Sequence, residues 1–274
     1  MAGLPAQGVT ANNAPLRTET VGTGPRIAWF LHGIFGQGRN WRSFAVKWLS
    51  NNPDFRAVLP DLRGHGGSLG AAPPHNLATC AADLEALPAP DLVVGHSFGG
   101  KVALTWAALR QFQGNLVIVD APPGVVPMDR ATTEADPRHV LTLLRSAPND
   151  RAAARAHLLA AGLGPVVVDW LLLSLQREGN GWEWQYDLDA IHGLLNSYFT
   201  TNCWPALDLP RSPPAILVIA GRGGRWTAEE LSHAGLCPGV RPVMLPSAGH
   251  WVHVDAPDAL RSVLDAAVSP TAAA

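Results

Sequence analysis

With 47% apolar residues over 274 positions, the chain can bury one large core or two smaller ones, and global disorder is excluded. A formal charge of -2, without a basic run or an acidic tail, excludes a nucleic-acid footprint and suits a small, neutral, apolar ligand better; no apolar stretch runs unbroken to membrane-spanning length. Cys80, Cys203 and Cys237 are odd in number and far apart, without a Cys-x-x-Cys pair, so neither a disulfide framework nor a metal site is expected.

Residues 1–21 read as a flexible start lacking the cationic-then-apolar pattern of a secretory signal, and a cytoplasmic protein is expected. Short apolar runs bounded by Gly, Pro or Asp follow at 27–31, 55–59, 92–94 and 116–119, with helical spacing between them at 41–49, 77–87 and 101–113. Uninterrupted apolar runs of this length suit strands covered on both faces. The alternation breaks between about 122 and 213, where amphipathic helices are expected at 138–145, 151–161, 166–177 and 188–199. It resumes with apolar runs at 215–220 and 240–245, and an Ala-rich end follows at 271–274. The pattern predicts an α/β fold: a mostly parallel, doubly wound sheet assigned to 1–122 and 213–274, with a helical cap over 123–212. Trp170, Trp182, Trp184, Tyr186 and Trp204 fall in the cap and suit an apolar lid, although core packing explains such aromatics equally well.

Reactive groups in such a sheet collect on loops at the carboxyl ends of the strands. Leu92-Val93-Val94 runs into Gly95-His96-Ser97-Phe98-Gly99-Gly100 and then a helix, so the Gly-x-Ser-x-Gly letters sit in the strand-turn-helix setting that exposes a nucleophilic serine, Ser97. A serine hydroxyl needs a general base within hydrogen-bond reach and an acid to orient that base. His250, in Gly249-His250-Trp251-Val252-His253 directly after the last strand, is the candidate base, and His253 is its nearest competitor. Two N–H donors must face the oxyanion, worth roughly 3 to 4 kcal/mol each. Phe98 N–H is one candidate; Ile34 N–H, in Leu31-His32-Gly33-Ile34-Phe35-Gly36, is the other, with Phe35 as its neighbouring alternative. His32 and His96 are expected to satisfy loop backbone, Asp61 and Arg63 to fix loops, and Lys101 to be solvated or to tether a loop.

Four segments together, His32-Gly33-Ile34-Phe35-Gly36, Asp61-Leu62-Arg63-Gly64-His65-Gly66-Gly67-Ser68, Gly95-His96-Ser97-Phe98-Gly99-Gly100-Lys101 and Gly249-His250-Trp251-Val252-His253, resemble those of α/β-hydrolase-fold serine esterases. The chain is most similar to a branch of small acyl esterases and thioesterases, over residues 26–122 and 213–265, and the similarity fades in the cap. The resemblance places the cap after the sixth core strand. Many relatives carry the orienting acid after the seventh strand, but here that loop reads Ala220-Gly221-Arg222-Gly223-Gly224-Arg225-Trp226, without a carboxylate. The branch instead resembles enzymes whose acid ends the sixth strand, which implies Asp120, with Glu229 and Glu230 as rivals. Phe35 and Trp251 are the implied substrate contacts, and no metal or cofactor is called for. The implied activity is cleavage of short to medium acyl esters or thioesters through an acyl-enzyme on Ser97. Carbon–carbon bond hydrolases, perhydrolases, lyases and non-catalytic binding relatives share the scaffold. Serine at position 97 argues against epoxide hydrolases and haloalkane dehalogenases, which attack with a carboxylate.

Overall fold

The computed structural model describes residues 16–127, 136–208 and 211–269; most of the start read as flexible and signal-free, and the Ala-rich end, lie outside the described residues. The chain runs through β1 (Thr18–Val21) and β2 (Arg26–Leu31), crosses by α1 (Arg42–Leu49) to β3 (Phe55–Pro60), and by α2 (Leu77–Asp83) to β4 (Leu92–His96). α3 (Phe98–Arg110) then leads to β5 (Asn115–Val119). Between β5 and the next sheet strand come α4 (Pro137–Ser146), α5 (Arg151–Ala160), α6 (Pro165–Leu171), a hairpin of β6 (Leu175–Glu178) and β7 (Gly181–Trp184), and α7 (Leu188–Thr200). β8 (Ala215–Ala220), α8 (Ala228–Leu236), β9 (Val240–Leu245), α9 (Val252–Asp255) and α10 (Pro257–Val268) complete it.

Seven strands form one sheet in the order β1-β3-β2-β4-β5-β8-β9, parallel throughout except for the antiparallel edge strand β1. Trp29, Leu31, Val93, Ile118 and Leu217 point to the face covered by α2 and α3; Ala28, Phe30, Val94, Val119 and Val218 point to the face covered by α1 and α10. Both faces are therefore dry, which is why these strands are continuously apolar rather than alternating. The strand counted as sixth in the family is the fifth here, β5.

Three local features differ from the sequence pattern. β1 has the polar sequence Thr-Glu-Thr-Val, and its stability comes from pairing with β3 rather than from an apolar face. The helix expected over 166–177 stops at Leu171; after a 3₁₀ turn at Leu172–Ser174 the chain enters β6, and Gly179-Asn180 turns it into β7 with φ +55° at Gly179. α3 starts at Phe98, three residues ahead of the expected 101, despite two early glycines. Those glycines allow close packing: a Cβ on Gly99 would lie 2.6 Å from the Leu31 carbonyl oxygen of β2.

The register aligns the carboxyl ends of the central strands. Leu31 sits opposite Gly95, and His96 opposite Val119, so the loops after β2, β4 and β5 begin side by side. The loop after β8 adjoins them, and the segment after β9 returns to the same edge through the bond from His96 Nε2–H to the His250 carbonyl, 2.8 Å.

Candidate active site

Ser97 links β4 to α3 with φ +52° and ψ -116°, a left-handed conformation that costs about 1–3 kcal/mol for a residue with a side chain. Its backbone N–H donates to Val119 O at 2.9 Å, which ties the turn to β5. Ser97 serves as the N-cap of α3 without capping it through its side chain, so the hydroxyl is left for other partners and the helix N-terminus faces the site.

Asp120, one residue beyond β5, also has a positive φ, +47°, and is wholly buried. Its Oδ2 accepts from His250 Nδ1 at 2.7 Å, while Oδ1 accepts from Trp226 Nε1 at 3.0 Å and from Ala220 N at 3.3 Å. Burial pushes the carboxyl pKa up, and Arg225, these two donors and His96 oppose that rise. For His250, burial is the leading effect and, with Arg225 and His253, holds the imidazole well below its ordinary pKa. The neutral ring donates from Nδ1 to Asp120, leaving Nε2 as the acceptor nitrogen. Ser97 and His250 line one pocket of about 90 Å³.

The competing assignments have other partners. His253 packs on Trp41 with ring centroids 4.5 Å apart, its Nδ1 is buried without a partner among the described residues, and burial lowers its pKa to about 4. Glu230 accepts from Thr227 N–H at 2.8 Å and closes the capping box of α8, whereas Glu229 is exposed in its first turn.

On the loop after β2, Phe35 adopts φ +59°. Its N–H donates to His65 Nε2 at 3.1 Å, so that amide is already engaged, whereas Ile34 belongs to the pocket wall alongside Ser97 and Phe98. The Phe35 carbonyl accepts from Tyr186 Oη at 2.7 Å, and His65 Nδ1–H donates to Arg63 O at 2.9 Å. His32 is held similarly, with Nδ1–H donating to Gly33 O and Nε2 accepting from Leu62 N–H. Asp61 accepts from the amides of Gly38 and Gly67, and Arg63 pairs with buried Asp83 while reaching Ala72 O and Pro74 O. Lys101 is buried and tethers rather than solvated: Nζ donates to Gly124 O, Tyr198 O and Thr201 O at 2.6–2.9 Å.

Phe35 and Trp251 both line the pocket. Of the five aromatics expected in a lid, Trp170 alone belongs to that wall, 5.6 Å from Trp251 between ring centroids; Trp204 stacks on His233 instead. Sequence reasoning missed Tyr198, which reaches Ser97 from α7, and Arg225 on the loop after β8. A tyrosine within an amphipathic helix carries no distinguishing signal. Nothing local in the loop after β8 marks Arg225 as facing the pocket.

Residues 30–263 match the model of the alpha/beta hydrolase family, and the chain belongs to that family. It is 30% identical over 252 residues to the sn-1-specific diacylglycerol lipase ABHD11 of Mus musculus, covering 86% of this chain and 80% of that protein. It is 31% identical over 265 residues to an esterase of Mycobacterium tuberculosis strain H37Rv, covering 89% and 84%. Among solved structures, a marine microorganism esterase superposes with a TM-score of 0.78 at 22% identity, covering 91% of this chain and 98% of that one. None of the described helices is long and apolar enough to cross a membrane.

Proposed function

We propose that the chain hydrolyses carboxylic esters and thioesters of short to medium acyl groups through an acyl-enzyme on Ser97. The observation that carries this reading is the 2.7 Å pairing of His250 with buried Asp120 beside a serine held in a left-handed turn. The names of the relatives, esterases and a lipase, support ester hydrolysis in general.

In the first half-reaction the Ser97 hydroxyl attacks the substrate carbonyl while His250 Nε2 takes its proton. Asp120 keeps Nδ1 protonated and offsets the charge that develops on the ring. The oxyanion is received by Ile34 N–H and Phe98 N–H. His250 passes the proton to the leaving alcohol or thiol, and water then releases the acid by the same route. Residues 123–212 act as a lid: Val140, Val167, Trp170 and Leu195 contribute the apolar wall opposite Ser97. A cavity of about 90 Å³ supports compact acyl groups over extended chains.

The test is a panel of aryl esters and acyl thioesters of graded chain length, run beside Ser97→Ala. Turnover should peak at short to medium chains and vanish in the variant. Activity retained without the serine hydroxyl, or a strict preference for long chains, contradicts the reading.

A further inference from the structure

The loop after β8 lacks the acid found there in many relatives, and its residues are built around Asp120 instead. Trp226 donates its indole N–H to Asp120 Oδ1, and a Cβ on Gly223 would lie 2.8 Å from Oδ2, so the loop closes tightly over the carboxylate. Between these two residues, Gly224 with φ +63° turns the chain and Arg225 enters the wall of the Ser97 pocket. Asp120 lies beneath that wall, fully buried, and is not part of it.

The charge inventory of the wall is therefore one-sided. Its lining includes no Asp, Glu or Lys, and its four histidines, His32, His96, His250 and His253, are all held below their ordinary pKa, chiefly by burial. Arg225 is the one lining residue that carries a full charge at neutral pH. Among the described residues it makes no ion pair, and its Nε is buried without a hydrogen-bond partner. A guanidinium beside apolar walls is costly unless an anion pairs with it, and the nearby carboxylate, Asp120, acts on Arg225 only through space because its oxygens accept from His250, Trp226 and Ala220. A carboxylate matches its planar fork of donors.

Resting on the assignment of Ser97 as nucleophile, we propose that Arg225 is a substrate-recognition residue, and that the preferred substrates carry a carboxylate on the acyl chain, as in half-esters of dicarboxylic acids. The near-neutral charge of the whole chain suits a neutral ligand, but recognition is set by the pocket, where the one fixed charge is positive.

The test compares chain-matched pairs: the mono-4-nitrophenyl esters of glutaric and adipic acids against 4-nitrophenyl pentanoate and hexanoate. Wild-type protein should favour the acidic member of a pair by about tenfold or more in kcat/KM, corresponding to about 1.4 kcal/mol. Arg225→Gln should collapse that ratio toward one, and Arg225→Lys should retain part of it. Equal or greater activity on the neutral esters overturns the proposal while leaving Ser97 as nucleophile. So does an equal loss on both members in Arg225→Gln, since Arg225 would then act on the His250–Asp120 pair rather than on substrate. Wild-type protein inactive on every ester defeats this inference together with the reading beneath it.

Discussion

Asp120 has three donors around one carboxylate, and each pins something different: Ala220 N–H fixes the end of β8, the Trp226 indole fixes the following loop, and His250 Nδ1–H fixes the tautomer of that imidazole. Asparagine at this position has nearly the same shape but lacks the charge, and its amide favours the wrong imidazole tautomer. Asp120→Asn should therefore lower kcat by about 10⁴-fold with an unchanged circular dichroism spectrum. The same kinetics measured against pH give the sign of the electrostatics. His250 faces Asp120, Arg225, His96 and His253, and burial leads the forces against its imidazolium form. The proton-accepting form thus persists to lower pH than for a free histidine, so the acid limb of kcat/KM should fall below 6.5. A limb above 6.5, or near-normal turnover in Asp120→Asn, contradicts the assignment. The turn around Ser97 and the placement of His250 just after the last strand were legible because a strand-turn-helix and a post-strand histidine are local patterns. The place of Asp120 at the end of β5 was signalled by the family resemblance together with the missing carboxylate after β8. Arg225 was not legible, because nothing local says which way a loop cation faces.

At the scale of elements, the segment between β5 and β8 does more than line part of the pocket. The chain between β7 and α7 pairs with the loop after β3: His65 and Tyr186 form an isolated antiparallel bridge, Gly66 N–H donates to Gln185 O, and Asp187 N–H donates to Gly64 O. His65 and Tyr186 then hold the Phe35 backbone through its N–H and its carbonyl, fixing a left-handed turn beside Ile34. His65 serves in neutral form, its pKa lowered by burial to about 3. Tyr186→Phe removes the hydroxyl and leaves the buried Phe35 carbonyl unsatisfied, a loss of about 1–1.5 kcal/mol. With Ile34 as an oxyanion donor, kcat should fall about tenfold while KM changes little, because the donor matters most in the transition state. An unchanged kcat would detach the turn from catalysis. This clamp was hidden in the sequence. The helical pattern over 166–177 masked the hairpin, and Gly179-Asn180 was the one turn signal that could have exposed it.

Across the whole molecule, the sheet order gathers loops from distant parts of the chain at one carboxyl edge: Ile34 and Phe35 after β2, Ser97 after β4, Asp120 after β5, Arg225 after β8 and His250 after β9. The strand-helix alternation made this convergence readable, since parallel strands place their carboxyl ends together. The antiparallel edge strand β1 was not readable, because its polar sequence resembles loop. The central claim is that this convergence activates one serine. Its most direct test is labelling with a fluorophosphonate probe, followed by mass spectrometry of the modified peptide, in wild-type protein and in His250→Ala. The expected result is a single adduct on Ser97 in the wild type and little or none in the variant. An unlabelled Ser97 in a protein that still hydrolyses esters, or labelling as fast without His250, would contradict it.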